Sequence, residues 1–315
     1  MSESPFRRFL DAQGFVVLDG GLATALETAG HVLDTPLWSA RLLIDAPEAI
    51  RAVHMAYLEA GADCITTAGY QASLDGFLTG GLDERRAGAA QRRAVEIAIE
   101  ARDSFWSDPA NRSGRLEPIV AASAGPYGAF LADGSEYDGR YGVSRDALDE
   151  FHRGRLEILD DTRADLVAFE TVPSRLEAEV LSGLLAERPA KPAWVSFTCR
   201  DADTLRDGTP FREAVRACGS SEALVGVGVN CTEPRHVLGL IDKVVATTDV
   251  PVVVYPNSGE GYDAGTRSWI GRPAAWLDRV GEWVGAGARV LGGCCRVGPA
   301  EIRELRLQLE EMHAP

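Results

Sequence analysis

Residues 45–67 read DAPEAIRAVHMAYLEAGADCITT. Asp45 is a residue type that caps a helix, and Pro47 suits a first helical turn, where its missing N–H is not needed. Ile50, Val53 and Tyr57 recur on one helical face, and Gly61 follows as a stop signal. The next residues, Cys64–Thr67, form a short run of strand character. The segment therefore predicts a helix over 45–60 delivered into a strand.

The same unit recurs along the chain. Apolar runs occur at Phe15–Asp19, Cys64–Thr67, Ile119–Ala124, Leu166–Glu170, Ala193–Thr198, Leu224–Asn230, Val252–Tyr255 and Arg289–Leu291. They are near-continuous rather than alternating, as strands buried on both faces are. Helical patterns lie between them: Arg85–Phe105, Ser144–Ala164 with Ser144 as cap, Pro210–Ala217, Pro234–Val245 and Pro273–Val284. Leu176, Val180 and Leu184 share a face, as do Ile302, Leu305, Leu309 and Met312. Eight strands alternating with helices predict an α/β chain folded as a (β/α)8 TIM barrel. An open doubly wound sheet is the competitor. Its glycine-rich dinucleotide turn is missing, because the first run ends in Asp19-Gly20-Gly21-Leu22.

The composition narrows the class. The 315 residues are 45% hydrophobic and 25% charged, with a net charge of −15. That acidity argues against nucleic acid as a partner, since phosphate binding needs a basic surface. The uncharged stretch Pro118–Ala132 is too short for a membrane span and contains Pro and Gly. The first residues, MSESPFRRFLDAQ, do not read as a signal peptide. Six cysteines are too few for a disulfide scaffold, so a reducing cytoplasm is expected.

In such a barrel the chemistry lies where strands end. Cys199, Cys231, Cys294 and Cys295 all fall there. The sixth and eighth strands are one strand apart, so Cys231, Cys294 and Cys295 can converge on one ion, as a three-ligand zinc site requires. Gly292-Gly293 would let the two adjacent cysteines leave strand geometry, because glycine reaches backbone angles closed to other residues. Two other readings stay open: buried packing, or a vicinal Cys294–Cys295 disulfide acting in redox. Cys64, Cys199 and Cys218 read as packing residues. The five histidines show no metal-ligand spacing, and no GxSxG elbow marks a serine hydrolase.

Asp19 and Glu170 also terminate strands on this face. Buried carboxylates there call for a cation or hydrogen-bond donors. With backbone amides freed at Gly20-Gly21, they suit a zwitterionic amino acid. The alternative is that Asp19 caps the following turn and Glu170 pairs with a neighbouring helix. Zinc with three thiolates carries a formal charge of −1, a poor carbonyl polariser but a good holder of a fourth sulfur. Alkyl transfer to a thiol amino acid is the chemistry this points to.

DGGLATALE (19–27), GADCITTAGYQAS (61–73), GPYGAFLADGSEY (125–137), FETVPS (169–174), VGVNCT (227–232), YPNSGEGYD (255–263) and GGCC (292–295) resemble the homocysteine S-methyltransferase family. The resemblance runs in order over nearly the whole chain. It implies a single homocysteine-binding barrel domain over 1–315 that makes methionine. Cys231, Cys294 and Cys295 would be the Zn2+ ligands and the catalytic centre. Asp19 and Glu170 would hold the amino group, and Gly20 and Gly21 the carboxylate. Thr67 would line the methyl-donor side, and Asn230 would support the metal loop. The chain ends with its eighth helix, without the arm of the betaine-dependent branch. The resemblance is thus to the stand-alone branch using S-methylmethionine, with S-adenosylmethionine as a lesser donor. Small-molecule partners and a monomer or weak homo-oligomer are expected, with no nucleic acid or membrane partner.

Overall fold

The computed structural model describes residues 4–33, 41–187, 191–263 and 268–314. In chain order the strands are β1 (Val16–Val17), β2 (Cys64–Thr66), β3 (Ile119–Ala124), β4 (Leu166–Val172), β5 (Ala193–Phe197), β6 (Leu224–Asn230), β7 (Val252–Tyr255), β8 (Gly261–Asp263), β9 (Ser268–Ile270) and β10 (Ala288–Leu291). Eight of them form one parallel sheet, in the order β1-β10-β7-β6-β5-β4-β3-β2. A parallel bridge from Leu18 to Cys64 and the bond from Asp63 N–H to Val17 O join β1 to β2 and close the ring. The expected (β/α)8 barrel is therefore observed. β8 and β9 form a separate antiparallel pair.

Strand alternation divides the core in two. Val16, Leu18, Ile119, Ala121, Leu166, Ala168, Val253 and Tyr255 pack inside the barrel. The intervening residues, such as Val17, Val120, Val167 and Val254, face the helical layer. Burial on both faces explains why the strands read as unbroken apolar runs. The helix Arg7–Gln13 brings Phe6 and Phe9 into the interior cluster with Trp194, where the Phe6 and Trp194 rings lie 5.7 Å apart. Asp63 adds a polar clamp at the barrel seam. It accepts bonds from Val17 N–H, Gln13 and Arg306, the last reaching in from the helix Pro299–His313 at 2.8 Å.

Several boundaries differ from the sequence reading. Asp45 ends a short helix, Leu42–Asp45, instead of capping the next one. Pro47–Ala60 starts after Ala46, with no side-chain cap. β4 runs two residues past Glu170 through an irregularity in its pairing with β5. The stretch expected as one helix over 273–284 is a 3-10 turn, Trp276–Arg279, followed by Val280–Gly285. Leu176 and Met312 are exposed, although they continue buried stripes. Ser144 does cap its helix, accepting Ala147 N–H at 3.2 Å.

Candidate metal and amino-acid site

β6 and β10 end on opposite sides of β7, which places their following residues together. Cys231 follows β6 in the left-handed region, φ +47°, with its N–H on Tyr255 O at 3.2 Å. Cys294 and Cys295 follow β10. Cys294 N–H donates to Pro256 O, and Ser258 N–H donates to Cys295 O, so the loop after β7 supports both. The three Sγ atoms are separated by 2.9 Å (Cys231–Cys294), 3.5 Å (Cys231–Cys295) and 4.0 Å (Cys294–Cys295). A disulfide needs about 2.05 Å, so these are free thiols. Tetrahedral ligands at about 2.3 Å from zinc stand roughly 3.7 Å apart, close to this triangle. No other group of three candidate ligands converges in this way among the described residues. Cys294 is held well above the usual thiol range, first by its hydrogen bond with Cys231 and further by burial. Three crowded thiols that resist ionising individually are a donor set suited to a thiophilic cation, which offsets three negative charges at once.

The glycine pair before Cys294 works differently from the expectation. Neither Gly292 nor Gly293 has a positive φ; that conformation is taken by Cys231 and by Arg296, φ +66°. Instead the pair permits close approach. A Cβ on Gly293 would stand 2.1 Å from Val297 Cγ1, and one on Gly292 would stand 2.6 Å from Leu18 Cβ.

Asn230 lies beneath the thiols and is fully buried. Its Oδ1 accepts Thr171 N–H (2.7 Å) and the Ser196 hydroxyl (2.9 Å), while its Nδ2 donates to Thr171 Oγ1 (2.8 Å). The same Nδ2 points at Cys294 Sγ, 4.0 Å away. Asn230 thus ties β6 to the bulge of β4, where Thr171 sits at φ +61°. Its polar atoms engage Thr171 and Ser196 within the protein, so it braces this end of the barrel.

Asp19 is buried and accepts Thr66 N–H at 2.7 Å and the Thr66 hydroxyl at 3.0 Å. It caps no helix, which removes that alternative. Glu170 accepts the Ser123 hydroxyl from β3, and Tyr255 also donates to it; neither partner is on a helix. Burial raises the pKa of both carboxyls, that of Asp19 strongly, and Glu170 pushes Asp19 up further. No Lys, Arg or His pairs with either one among the described residues. Glu170 lies within electrostatic reach of Cys294 and Cys295, and Asp19 and Cys294 both act on the Tyr57 phenol.

Two of the expected residues are engaged within the protein. Gly21 N–H is already bonded to Val297 O at 2.9 Å, so it is not a free carboxylate donor, whereas Gly20 N–H has no backbone acceptor among the described residues. Thr67 does not face the thiols. Its Oγ1 accepts Ser123 N–H, and it lines a cavity of about 10 Å³ with Gln91, Ala94, Arg155 and Leu159, behind the barrel wall. Cys64, Cys199 and Cys218 are buried packing residues, as expected. Sequence reasoning missed Ser123, Tyr255, Ser196 and Thr66, which hold the acidic pair and Asn230. Their only signal was position, each inside or at the end of an apolar strand.

A homocysteine S-methyltransferase family model matches residues 16–309. Homocysteine S-methyltransferase YbgG of Bacillus subtilis is 45% identical over 306 residues, covering 96% of each chain. Selenocysteine Se-methyltransferase of Brassica oleracea is 42% identical, covering 94% of this chain and 89% of that one. Among solved structures, the metallated form of the homocysteine methyltransferase MmuM from Escherichia coli superposes with a TM-score of 0.86 at 43% identity, covering 97% of this chain and all of the other. Fold, thiol triangle and relatives converge: the chain is an enzyme of the homocysteine S-methyltransferase family.

Proposed function

We propose that this enzyme transfers a methyl group from a sulfonium donor, S-methylmethionine first and S-adenosylmethionine second, to L-homocysteine, giving methionine. The observation that carries the reading is the convergence of three thiols beside an uncompensated pair of buried carboxyls. Cys231, Cys294 and Cys295 would hold Zn2+. When bound, zinc supplies a soft Lewis acid that favours the acceptor sulfur as an electron-rich thiolate.

The remaining work falls to the chain itself. Glu170 and Asp19 take the homocysteine ammonium, which restores their ionised state and fixes the acceptor's orientation. Gly20 N–H is offered to its carboxylate. Ser123 and Thr66 aim the two carboxyls, and Thr67 acts one step back by holding Ser123. Asn230 and the loop after β7 keep the thiols in place. The acceptor sulfur forms its bond to the methyl carbon as the donor's S–C bond breaks. That electron pair leaves on the donor sulfur, now a neutral thioether, and the thiol proton passes to solvent. Orientation lowers the barrier by making the step effectively unimolecular.

The test is incubation of reduced, zinc-loaded enzyme with L-homocysteine and methyl-labelled S-methylmethionine, S-adenosylmethionine or betaine, with methionine measured by mass. Labelled methionine from a sulfonium and not from betaine supports the reading. Product from betaine alone overturns the donor, and product only with selenocysteine as acceptor overturns the acceptor. Metal content is measured alongside: about one zinc per chain, lost in Cys231→Ala, is expected.

A further inference from the structure

A third buried acidic group, apart from Asp19 and Glu170, is connected to the thiols through two tyrosines. It is Glu136, in the 3-10 turn Ser135–Tyr137 that follows β3. Its Oε2 is buried without a hydrogen-bond partner, and no cationic side chain pairs with it among the described residues. Burial pushes its pKa up to about 7. A carboxylate left in this state costs free energy unless a cation completes it.

Its neighbours are two phenols and, through one of them, a guanidinium. The Tyr70 phenol lies within electrostatic reach of Glu136, Tyr137 and Cys231, and it bonds Thr171. The Tyr137 phenol lies in reach of all three thiols, Cys231 foremost. Arg206 is placed over the Tyr137 ring, 5.7 Å from its centre. The Arg206 Nε bonds Thr198 Oγ1, which in turn donates to Cys231 O. Arg206 makes no ion pair with a described carboxylate. A carboxyl and a guanidinium without ion-pair partners among the described residues therefore both act on the Tyr137 ring, whose foremost thiol neighbour is Cys231. Glu170, by contrast, acts on Cys294 and Cys295.

We infer that Glu136, Tyr70, Tyr137 and Arg206 form a second amino-acid subsite that reads the methyl donor, with Glu136 on its α-ammonium and Arg206 on its α-carboxylate. This deepens the sulfonium-donor reading above and rests on it. The assignment to the ammonium follows from the charge change in the reaction. The sulfonium becomes neutral as its methyl leaves, so a carboxylate against it would stabilise the ground state more than the transition state. The α-ammonium keeps its charge throughout, so a carboxylate against it improves binding without that penalty. The aromatic faces of Tyr70 and Tyr137 suit the sulfonium itself.

The test uses the zinc-loaded enzyme and the variants Glu136→Gln and Arg206→Met, each first checked for an unchanged melting temperature. Steady-state kinetics with S-methylmethionine should show its KM raised about tenfold or more in both variants, as expected for loss of one charge-assisted bond, with the homocysteine KM within about twofold. Dimethylsulfoniopropionate lacks the α-amino group. As a competitor of S-methylmethionine it should be weakened by Arg206→Met and unaffected by Glu136→Gln. Calorimetric titration with S-methylmethionine alone gives a readout independent of turnover. An unchanged donor KM, a raised homocysteine KM instead, or equal S-methylmethionine affinity for wild type and Glu136→Gln overturns the subsite, as does absence of binding to wild type. Binding without transfer by the wild type would instead overturn the donor reading and leave the subsite standing.

Discussion

Replacing Asn230 by alanine removes a side chain that joins the β4 bulge to the thiol loop. The change strips the acceptor from Thr171 N–H and the donor from Thr171 Oγ1. Ser196 loses a bond too, but keeps its contact with the Tyr255 hydroxyl. A buried N–H left unpaired costs about 1–3 kcal/mol. The emptied volume adds roughly 1 kcal/mol or more. Relaxation of Thr171 from its left-handed backbone returns part, since such a conformation stores about 1–3 kcal/mol. The net expected loss is about 2–3 kcal/mol. At about 2.1 cal/mol/K per residue, a chain of this length loses roughly 3–5 °C in melting temperature for that change. The second consequence concerns the metal. Nδ2 faces Cys294, and loss of a supporting partner of a ligand costs about 10–100-fold in affinity. Thermal unfolding by circular dichroism and a competitive zinc titration on the same preparation measure both. A variant that melts within 1 °C of wild type and holds zinc equally well would refute the assignment of Asn230 as the brace of this site.

Three further outcomes are expected. Glu170→Gln should raise the homocysteine KM about tenfold or more, from loss of a charge-assisted contact. The folded carboxyl is shifted upward, and only its ionised form holds an ammonium, so wild-type homocysteine KM should improve as pH rises through that raised value. Asp19, Tyr255, Cys294 and Cys295 are the titratable neighbours. A KM–pH profile unchanged in the variant counts against the contact. Gly293→Ala should abolish metal binding or folding, because its Cβ would meet Val297 Cγ1 at 2.1 Å; normal zinc stoichiometry in a stable variant counts against the close-packing argument. Asp63→Asn should destabilise by about 1–3 kcal/mol, since it removes the buried counter-charge of Arg306 at the barrel seam and leaves it only the half-exposed Glu310; urea unfolding with a midpoint equal to wild type would contradict this.

Much of this protein was legible in one dimension. Strands buried on both faces must be apolar throughout, so Ile119–Ala124, Leu224–Asn230 and Val252–Tyr255 were readable to the residue. Strand order then placed Cys231 beside Cys294 and Cys295, because parallel strands of a barrel end on one face. Boundaries that depend on backbone irregularity were not readable. Nothing in FETV announces a bulge at Glu170–Thr171, and nothing in NCT announces the left-handed turn at Cys231.

Residue types and their order therefore determined the barrel, the three-thiol cluster and the acidic face, since local periodicity and hydrophobic burial act on the chain directly. Only the tertiary structure decided who partners whom. It used Gly21 N–H on Val297, turned Thr67 away from the thiols, engaged Asn230 with Thr171 and Ser196, and left Glu136 without a cation among the described residues. Hydrogen-bond capacity is a property of a residue, but its satisfaction depends on atoms from distant strands meeting within about 3 Å, and periodicity along the chain does not specify that distance.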